Sequence, residues 1–465
     1  MKGNIFAYVV LILWPVFAIY LYRTKTIQVA ILWTILGGFM FLPVRTLIDF
    51  PLVPPLGKDS MPVLAAFLGL WLVKGKKISF SLNHRWIKWL LYLYVISPII
   101  TVILNNDTVN MGIRILPALS YHDAISITIN NILIILPLFM GSQYFRSYES
   151  QLLMFKTLVV AGLGYSVLML YEIRMSPQLH SSIYGYFPHS FAQQKRFGGF
   201  RPVVFMGHGL WVAFFAMAIL LAATTMSKNG IKAWKFSSTK VSYYFFMVLI
   251  LCKSMGSVIY GLFGFLLIKY TSNKLQMRVA IVVTVLALAY PTMSILKWVP
   301  YGQITNAAAV IDDDRAGSLK FRFDNEVLLL NHARERFFFG WGGWGRNRVF
   351  DSESGEDVTI TDGRWIITFG QYGWFGFIAE FGLLGMAIFR ANKALKLVKD
   401  KNQKNMLTAH ALLVCLIMLD QIPNATLAPW MWLIAGILLG RSESIIAEYR
   451  NESKLTTNLG IDNVR

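Results

Sequence analysis

The chain alternates apolar blocks about 17–22 residues long, the length a helix needs to cross a bilayer, with short connections rich in lysine and arginine. That alternation leaves few folds open. No water reaches the bilayer core, so backbone groups there must be satisfied within a helix or a closed barrel. The blocks lack the period-two alternation of a barrel strand, so they are helices. Hydropathy gives about thirteen candidate spans. They centre near Val10, Leu36, Phe67, Tyr94, Leu133, Gly162, Phe214, Met247, Phe263, Val285, Phe377, Leu413 and Ile434. The eighth and ninth are separated only by Lys253-Ser-Met-Gly256. The predicted fold class is all-α, a polytopic transmembrane helix bundle of about 12–13 spans forming one integral membrane domain over residues 1–465. Charged residues make up 15% of the chain, against roughly 25% in soluble proteins.

A net charge of +20 can signal nucleic acid. Here the basic residues sit in connections, with no separate basic domain, so nucleic acid is not an expected partner and membrane lipid is. With the N-terminus outside, every short basic connection falls on the cytoplasmic side, as the positive-inside rule requires. Examples are Arg23 with Lys25, Lys74 to Lys88, Lys228 to Lys240, Lys269 to Arg278, and Arg390 to Lys404. The two long connections, about 174–201 and 297–364, fall on the opposite face. Residues 316–339 of the second read as a helix behind Asp312 to Asp314, with Leu319, Phe323, Val327 and Leu330 at helical spacing and Gly340 as the stop. Gly340-Trp-Gly-Gly-Trp-Gly345 reads as a tight turn, residues 351–357 as a solvated acidic tip, and Trp365 to Phe369 as the start of the next span. Cys252 and Cys415 give no disulfide framework.

Chemistry is expected where basic residues run against the topological bias. Arg196 and Arg201 flank a Gly-Gly turn just before the span carrying His208. A guanidinium gives a permanent, planar, bidentate contact to phosphate, so this pair suits a lipid-linked pyrophosphate; the alternative is anchoring to lipid headgroups. Arg315 and Arg322 are seven residues apart on the loop helix and share a face, with pairing to Asp312 to Asp314 as the alternative. Arg334, Arg336, Arg346 and Arg348 read as solvated. Lys253 either faces a polar cavity or snorkels to the surface. Asp362, in Thr361-Asp-Gly-Arg-Trp365, can act as a general base for a hydroxyl or as a helix N-cap. His208 is a second proton acceptor or a buried bundle histidine. His189 and His332 are lesser candidates. No metal constellation, P-loop or nucleophile elbow is found.

Together these features resemble the O-antigen ligase and polymerase superfamily of bacterial envelope glycan transferases. The resemblance covers about residues 196–384. It rests on the arginine–glycine segment at Arg196 to Gly209, the Lys253-Ser-Met-Gly-Ser257 break, the arginine helix at Arg315 to Arg322, the Gly340 to Gly345 turn, and Asp362 followed by Gly373, Gly376 and Gly382. Many members carry a histidine where this chain has Asp362, so Asp362 would have to replace it. The resemblance implies an inner-membrane protein with the 297–364 loop in the periplasm. It also implies metal-independent glycosyl transfer, with no cofactor, from undecaprenyl pyrophosphate to an acceptor hydroxyl. The donor would be a lipid-linked glycan, the acceptor a glycan or glycolipid, with other envelope glycan assembly proteins as possible partners. A polysaccharide polymerase is favoured. The alternatives are an O-antigen ligase acting on a lipid A core, a transporter or flippase of lipid-linked oligosaccharide, and an inactive scaffold. A transporter would carry charges deep in several spans, whereas Glu172, Glu380 and Asp420 read as lying near helix ends.

Overall fold

A computed structural model describes residues 3–50, 53–80, 84–196, 198–310 and 313–458, with side chains withheld at a few more. The helices are α1 (Ile5–Thr24), α2 (Ile27–Phe41), α3 (Ser60–Leu68), α4 (Arg85–Ile103), α5 (Tyr121–Tyr144), α6 (Tyr148–Met175) and α7 (Leu179–Tyr184). Then come α8 (Gly209–Lys228), α9 (Ser238–Leu251), α10 (Met255–Tyr270), α11 (Asn273–Ile295), α12 (Tyr301–Ala309), α13 (Asp313–Glu335), α14 (Arg364–Leu395), α15 (Lys401–Asp420) and α16 (Pro429–Asn458). Each apolar block falls on one of these helices. Among the described residues, eight helices are long and apolar enough to cross a membrane, so the chain is a multi-pass membrane protein. α2, α3, α9 and α10 are shorter apolar helices.

Burial separates the centre from the rim. The apolar window of α8 is 89% buried, against 28% for α11 and 33% for α1. α8 is therefore the axis of the bundle, while α1 and α11 turn much of their apolar surface outward. On α1 the exposed set includes Ile12, Leu13 and Val16. α5 and α16 touch through backbone. A Cβ on Gly436 would lie 2.2 Å from the Leu138 carbonyl oxygen, and one on Gly440 2.5 Å from that of Ser142. This Gly-x-x-x-Gly seam lets two helices approach more closely than any side chain allows.

The connections contact one another in two sets. Asn4 donates its backbone N–H to Tyr184, Thr46 bonds the Tyr186 hydroxyl, Arg336 pairs with Asp107 at 3.1 Å, and Arg322 donates to the Pro423 carbonyl. At the other end Asn229 donates to Asn402, Asn273 to Asn405, Arg441 to the Arg146 carbonyl, and Ser79 donates its backbone N–H to Gln143 Oε1. These are the two faces that the alternation of basic connections separates, and the N-terminal segment lies with the two long connections.

The large loop is more embedded than its polarity suggests. α14 breaks at Gly373, whose φ of 66° and ψ of −164° leave the helical region. The 337–342 segment lies in the break: Trp374 and Phe375 donate to Phe337 and Phe338, and Trp341 and Gly342 donate to Gly370 and Gln371. Non-helical backbone at this depth is stable because protein groups satisfy it. Arg364 clamps the two halves of α14, with Nη2 2.6 Å from Glu380 Oε1 and Nε 3.1 Å from both carboxylate oxygens. Glu380 is fully buried in the body of α14, not near its end as the sequence suggested. Arg346 is also corrected. It is buried, not solvated, and donates to the carbonyls of Trp341, Asp107 and Pro117, tying the glycine turn to the α4–α5 connection. The loop helix runs over Asp313–Glu335, shorter than residues 316–339 at its C-terminal end because residues 336–339 turn away, and α12 precedes it. Asp312 lies outside the described residues.

Candidate functional site

The site begins with a stretch of irregular backbone in the bundle's long-loop face. Residues 201–208 run between α7 and α8 and are buried almost throughout. Their polar groups find buried side chains. Glu172 at the end of α6 accepts from Val203 N at 2.7 Å and Val204 N at 2.6 Å, and from Gln178 and Leu179 across the loop. Tyr165 accepts from Phe205 N, and Lys58 donates to Phe205 O, Leu42 O and Gly38 O. Val204 has φ of 51°, a conformation that costs a β-branched residue about 1–3 kcal/mol and persists only where surroundings over-determine it. Replacing Glu172 by glutamine puts an NH2 group against backbone donors. Glu172→Gln is expected to destabilise the fold by about 2–3 kcal/mol, read as a lowered thermal midpoint of the purified protein; an unchanged midpoint would mean that Glu172 does not hold this segment.

The held segment presents Arg201 and His208. Arg201 is buried and its Nε donates to the Lys253 carbonyl at 3.0 Å. Lys253 sits at the α9–α10 break with φ of 54° and sends Nζ to the Arg196 carbonyl at 3.1 Å. Arg196 lies on a short hairpin in which Lys195 pairs with Phe200 and Arg196 with Gly199. The arginine–glycine segment and the broken helix pair are thus one unit.

His208 is the N-cap of α8. Its Nδ1 accepts from Leu210 N at 3.0 Å, and its Nε2 stands 3.3 Å from Gln193 Oε1. A ring whose Nδ1 accepts from the backbone carries its proton on Nε2. Burial pushes its pKa down to about 3, aided by His189, Arg201, Arg322 and Arg196. His208 is therefore a neutral donor, with no nitrogen left to take a proton. Arg201, Arg322 and Arg196, from two separate connections, all act electrostatically on this one ring. The His189 ring packs edge-on against it at 4.8 Å. Burial and Arg45 lower His189, while Asp362 raises it.

Arg322 on α13 faces Asp362, with Nε 3.4 Å from Oδ2, and donates Nη1 to the Pro423 carbonyl at 3.3 Å. Asp362 does not cap α14. The N-cap is Gly363, so the carboxylate is left to the arginine. A Cβ at Gly363 would lie 2.2 Å from the Ile422 carbonyl oxygen, which keeps this turn closed against the α15–α16 connection. Arg315 lies in the first turn of α13, and its side chain is outside the described residues.

Arg322 and Asp362 line a pocket whose other walls are Leu319, Phe323, Ile360, Ile366 and Ile422, with Tyr290 and Glu326 deeper. Sequence reasoning missed Glu326. It follows Arg322 by one turn, and the usual expectation for that spacing is an ion pair. Instead it accepts from the hydroxyls of Tyr290, Ser294 and Tyr301 at 2.5–3.2 Å. Burial pushes its carboxyl up, against those hydroxyl donors. Arg45 was also missed, because nothing in its local sequence sets it apart from an anchoring residue. The lining carries one guanidinium, Arg322, and two carboxyl groups, Glu326 and the half-exposed Asp362, so the arrangement suits a ligand that takes Asp362's place on the arginine and offers a polar group to be deprotonated.

No protein-family model matches the chain, and no curated protein matches it.

Proposed function

We propose that the chain is a membrane glycosyltransferase of the O-antigen ligase and polymerase type, moving a glycan from undecaprenyl pyrophosphate to an acceptor hydroxyl on the periplasmic face of a bacterial inner membrane. The observation that carries this is the arginine cluster around His208 beside the Arg322–Asp362 pair, on the face opposite the short basic connections. Arg196, Arg201 and Arg322 hold the pyrophosphate, and the His208 Nε2–H donates to it. Phosphate competes with Asp362 for Arg322, because a guanidinium binds phosphate in the same bidentate way as a carboxylate. Donor binding therefore releases Asp362. The acceptor oxygen then bonds to the anomeric carbon, the bond from that carbon to the phosphate oxygen breaks with its electron pair leaving on the pyrophosphate, and Asp362 takes the hydroxyl proton. The arginines stabilise the charge that develops on the leaving group, and no nucleotide or metal is needed. Within this reaction class a polysaccharide polymerase is favoured over a ligase because Asp362 stands where many members carry a histidine.

A transporter reading would draw on the Arg364–Glu380 pair at membrane depth. That pair is bidentate and Thr368 also donates to Glu380, which suits a clamp across a broken helix better than a moving charge. The decisive experiment supplies purified protein in liposomes with lipid-linked oligosaccharide. Chain growth is the expected result. Growth only when a lipid A core acceptor is added would make it a ligase, and translocation without growth would replace the transferase reading with transport.

A further inference from the structure

At the end of the bundle opposite the long connections, the last turns of α8 and α10 and the start of α9 enclose a second cavity of about 190 Å³. Lys228 and Lys269 both line it, and no carboxyl group does. Lys228 donates to the carbonyls of Ile268 and Thr271 at 2.6 and 3.0 Å. An ammonium has three N–H groups, and the third has no acceptor among the described residues. Lys269 donates to the Tyr243 hydroxyl and stands 4.8–5.2 Å from the ring centres of Tyr243, Phe265 and Tyr270. The Tyr243 oxygen therefore accepts, which leaves its own O–H proton to give away. Ser227 and Thr239 stand with their hydroxyl oxygens 2.6 Å apart, and two hydroxyls that share one bond keep one proton to donate. Lys401 acts on Lys228 as a further positive charge. Among the described residues, no carboxylate lies within ion-pair distance of Lys228 or Lys269. Like charges gathered without a counter-charge repel, so an anion completes the cavity.

The cavity lies at the depth of lipid headgroups. Lys228 is the last residue of α8, a helix long and apolar enough to cross a membrane. Tyr243 and Tyr270 are exposed beside Lys269, and the α8–α9 connection exposes Trp234 and Phe236 on a turn closed by paired backbone bonds between Ala233 and Phe236. Exposed tryptophan and tyrosine among lysines mark the boundary between hydrocarbon and water. We propose that this cavity binds the phosphate of an anionic glycerophospholipid headgroup. Lys228 and Lys269 pair with the phosphate oxygens, and Tyr243 and the Ser227–Thr239 pair donate to them. Basic pockets between membrane helices are a recurring form of headgroup site, and a phosphate offers oxygens that only accept. A zwitterionic headgroup is disfavoured, since it sets a third cation beside the two lysines. The inference is independent of the glycan-transfer reading, which concerns the opposite end of the bundle.

The test is native mass spectrometry of the full-length protein in detergent, titrated separately with phosphatidylglycerol and phosphatidylcholine of the same acyl chains. Both carry a diester phosphate, but only the first headgroup is net negative. Phosphatidylglycerol should bind about tenfold tighter, and Lys269→Gln should weaken it about tenfold, as the loss of one charge-assisted hydrogen bond does. Thr239→Asp sets a carboxylate at an exposed position of the lining and should weaken it further. Aspartate in the first turn of a helix is favourable, so this variant carries the test if Lys269→Gln fails to fold. Phosphatidylcholine binding should not change in either. Lys235→Ala removes an exposed lysine of the α8–α9 connection that does not line the cavity, and should change nothing. Equal affinity for the two lipids, or unchanged phosphatidylglycerol affinity in the folded variants, overturns the site. A loss in Lys235→Ala equal to that in Lys269→Gln also overturns it, because surface charge alone would then account for binding. Inorganic phosphate at the concentration of the lipid should not displace it; displacement assigns the cavity to a soluble phosphate and overturns the lipid as its ligand.

Discussion

Arg322→Ala is expected to lower glycan product at least a hundredfold with protein level unchanged, since removing one preorganised donor to a developing anion costs about 10²–10³ in rate. The guanidinium is half-exposed and its fixed protein contacts are the Asp362 carboxylate and one carbonyl. Deleting it opens no core cavity, so a loss of product would report on chemistry and not on folding. Arg322→Lys keeps the charge but not the planar fork, and should fall between wild type and alanine. Arg201→Ala should also abolish product, but Arg201 is buried against the Lys253 carbonyl, so its loss also loosens the α9–α10 break. The measurement is polymer or ligated product in cells lacking the native protein, normalised to membrane protein level. Normal product in Arg322→Ala would remove the donor site.

Gly436→Val is expected to destabilise the bundle by about 3 kcal/mol or more, as overpacking of a close-packed contact does when the neighbour cannot yield. The neighbour here is the Leu138 carbonyl, 2.2 Å from the position of the new Cβ. Backbone cannot rotate away as a side chain can, so α5 and α16 must separate along the whole seam. The seam also sets where α16 meets α14, whose N-cap Gly363 lies beside Asp362. The control is Gly164→Ala on α6, where a Cβ meets nothing within 4 Å. Thermal unfolding in detergent should show a lowered midpoint for Gly436→Val and none for Gly164→Ala; equal midpoints would mean the two helices are not in backbone contact.

The helices were legible because each is encoded locally. An apolar run of membrane length has no stable alternative in lipid, so Val10, Phe214 or Ile434 marks a span without reference to any other part of the chain. The break at Lys253 was legible for the same reason, since a charge and a glycine interrupt the run. Arg196, Arg201 and Arg322 stood out as basic residues in the long connections, against the positive-inside bias, and Asp362 as a carboxylate among arginines at the start of a span. Glu326, Arg346 and Glu380 did not. Each is a charged residue whose surroundings are built by other parts of the fold, Glu326 by hydroxyls from α11 and the start of α12, Arg346 by the α4–α5 connection, Glu380 by Arg364 across a helix break.

His208 shows the same division within one residue. The sequence placed it beside arginines at the start of a span, but both of its nitrogens are assigned by partners, the Leu210 N–H and the Gln193 side chain. The amino-acid order alone determined the helical class and the positions of the apolar helices, because hydropathy acts on each segment separately in the bilayer. Tertiary structure decided which polar groups are buried together, which nitrogen carries a proton and which glycines must stay bare. Those depend on contacts that form only when separate segments fold against one another, and no local pattern records them.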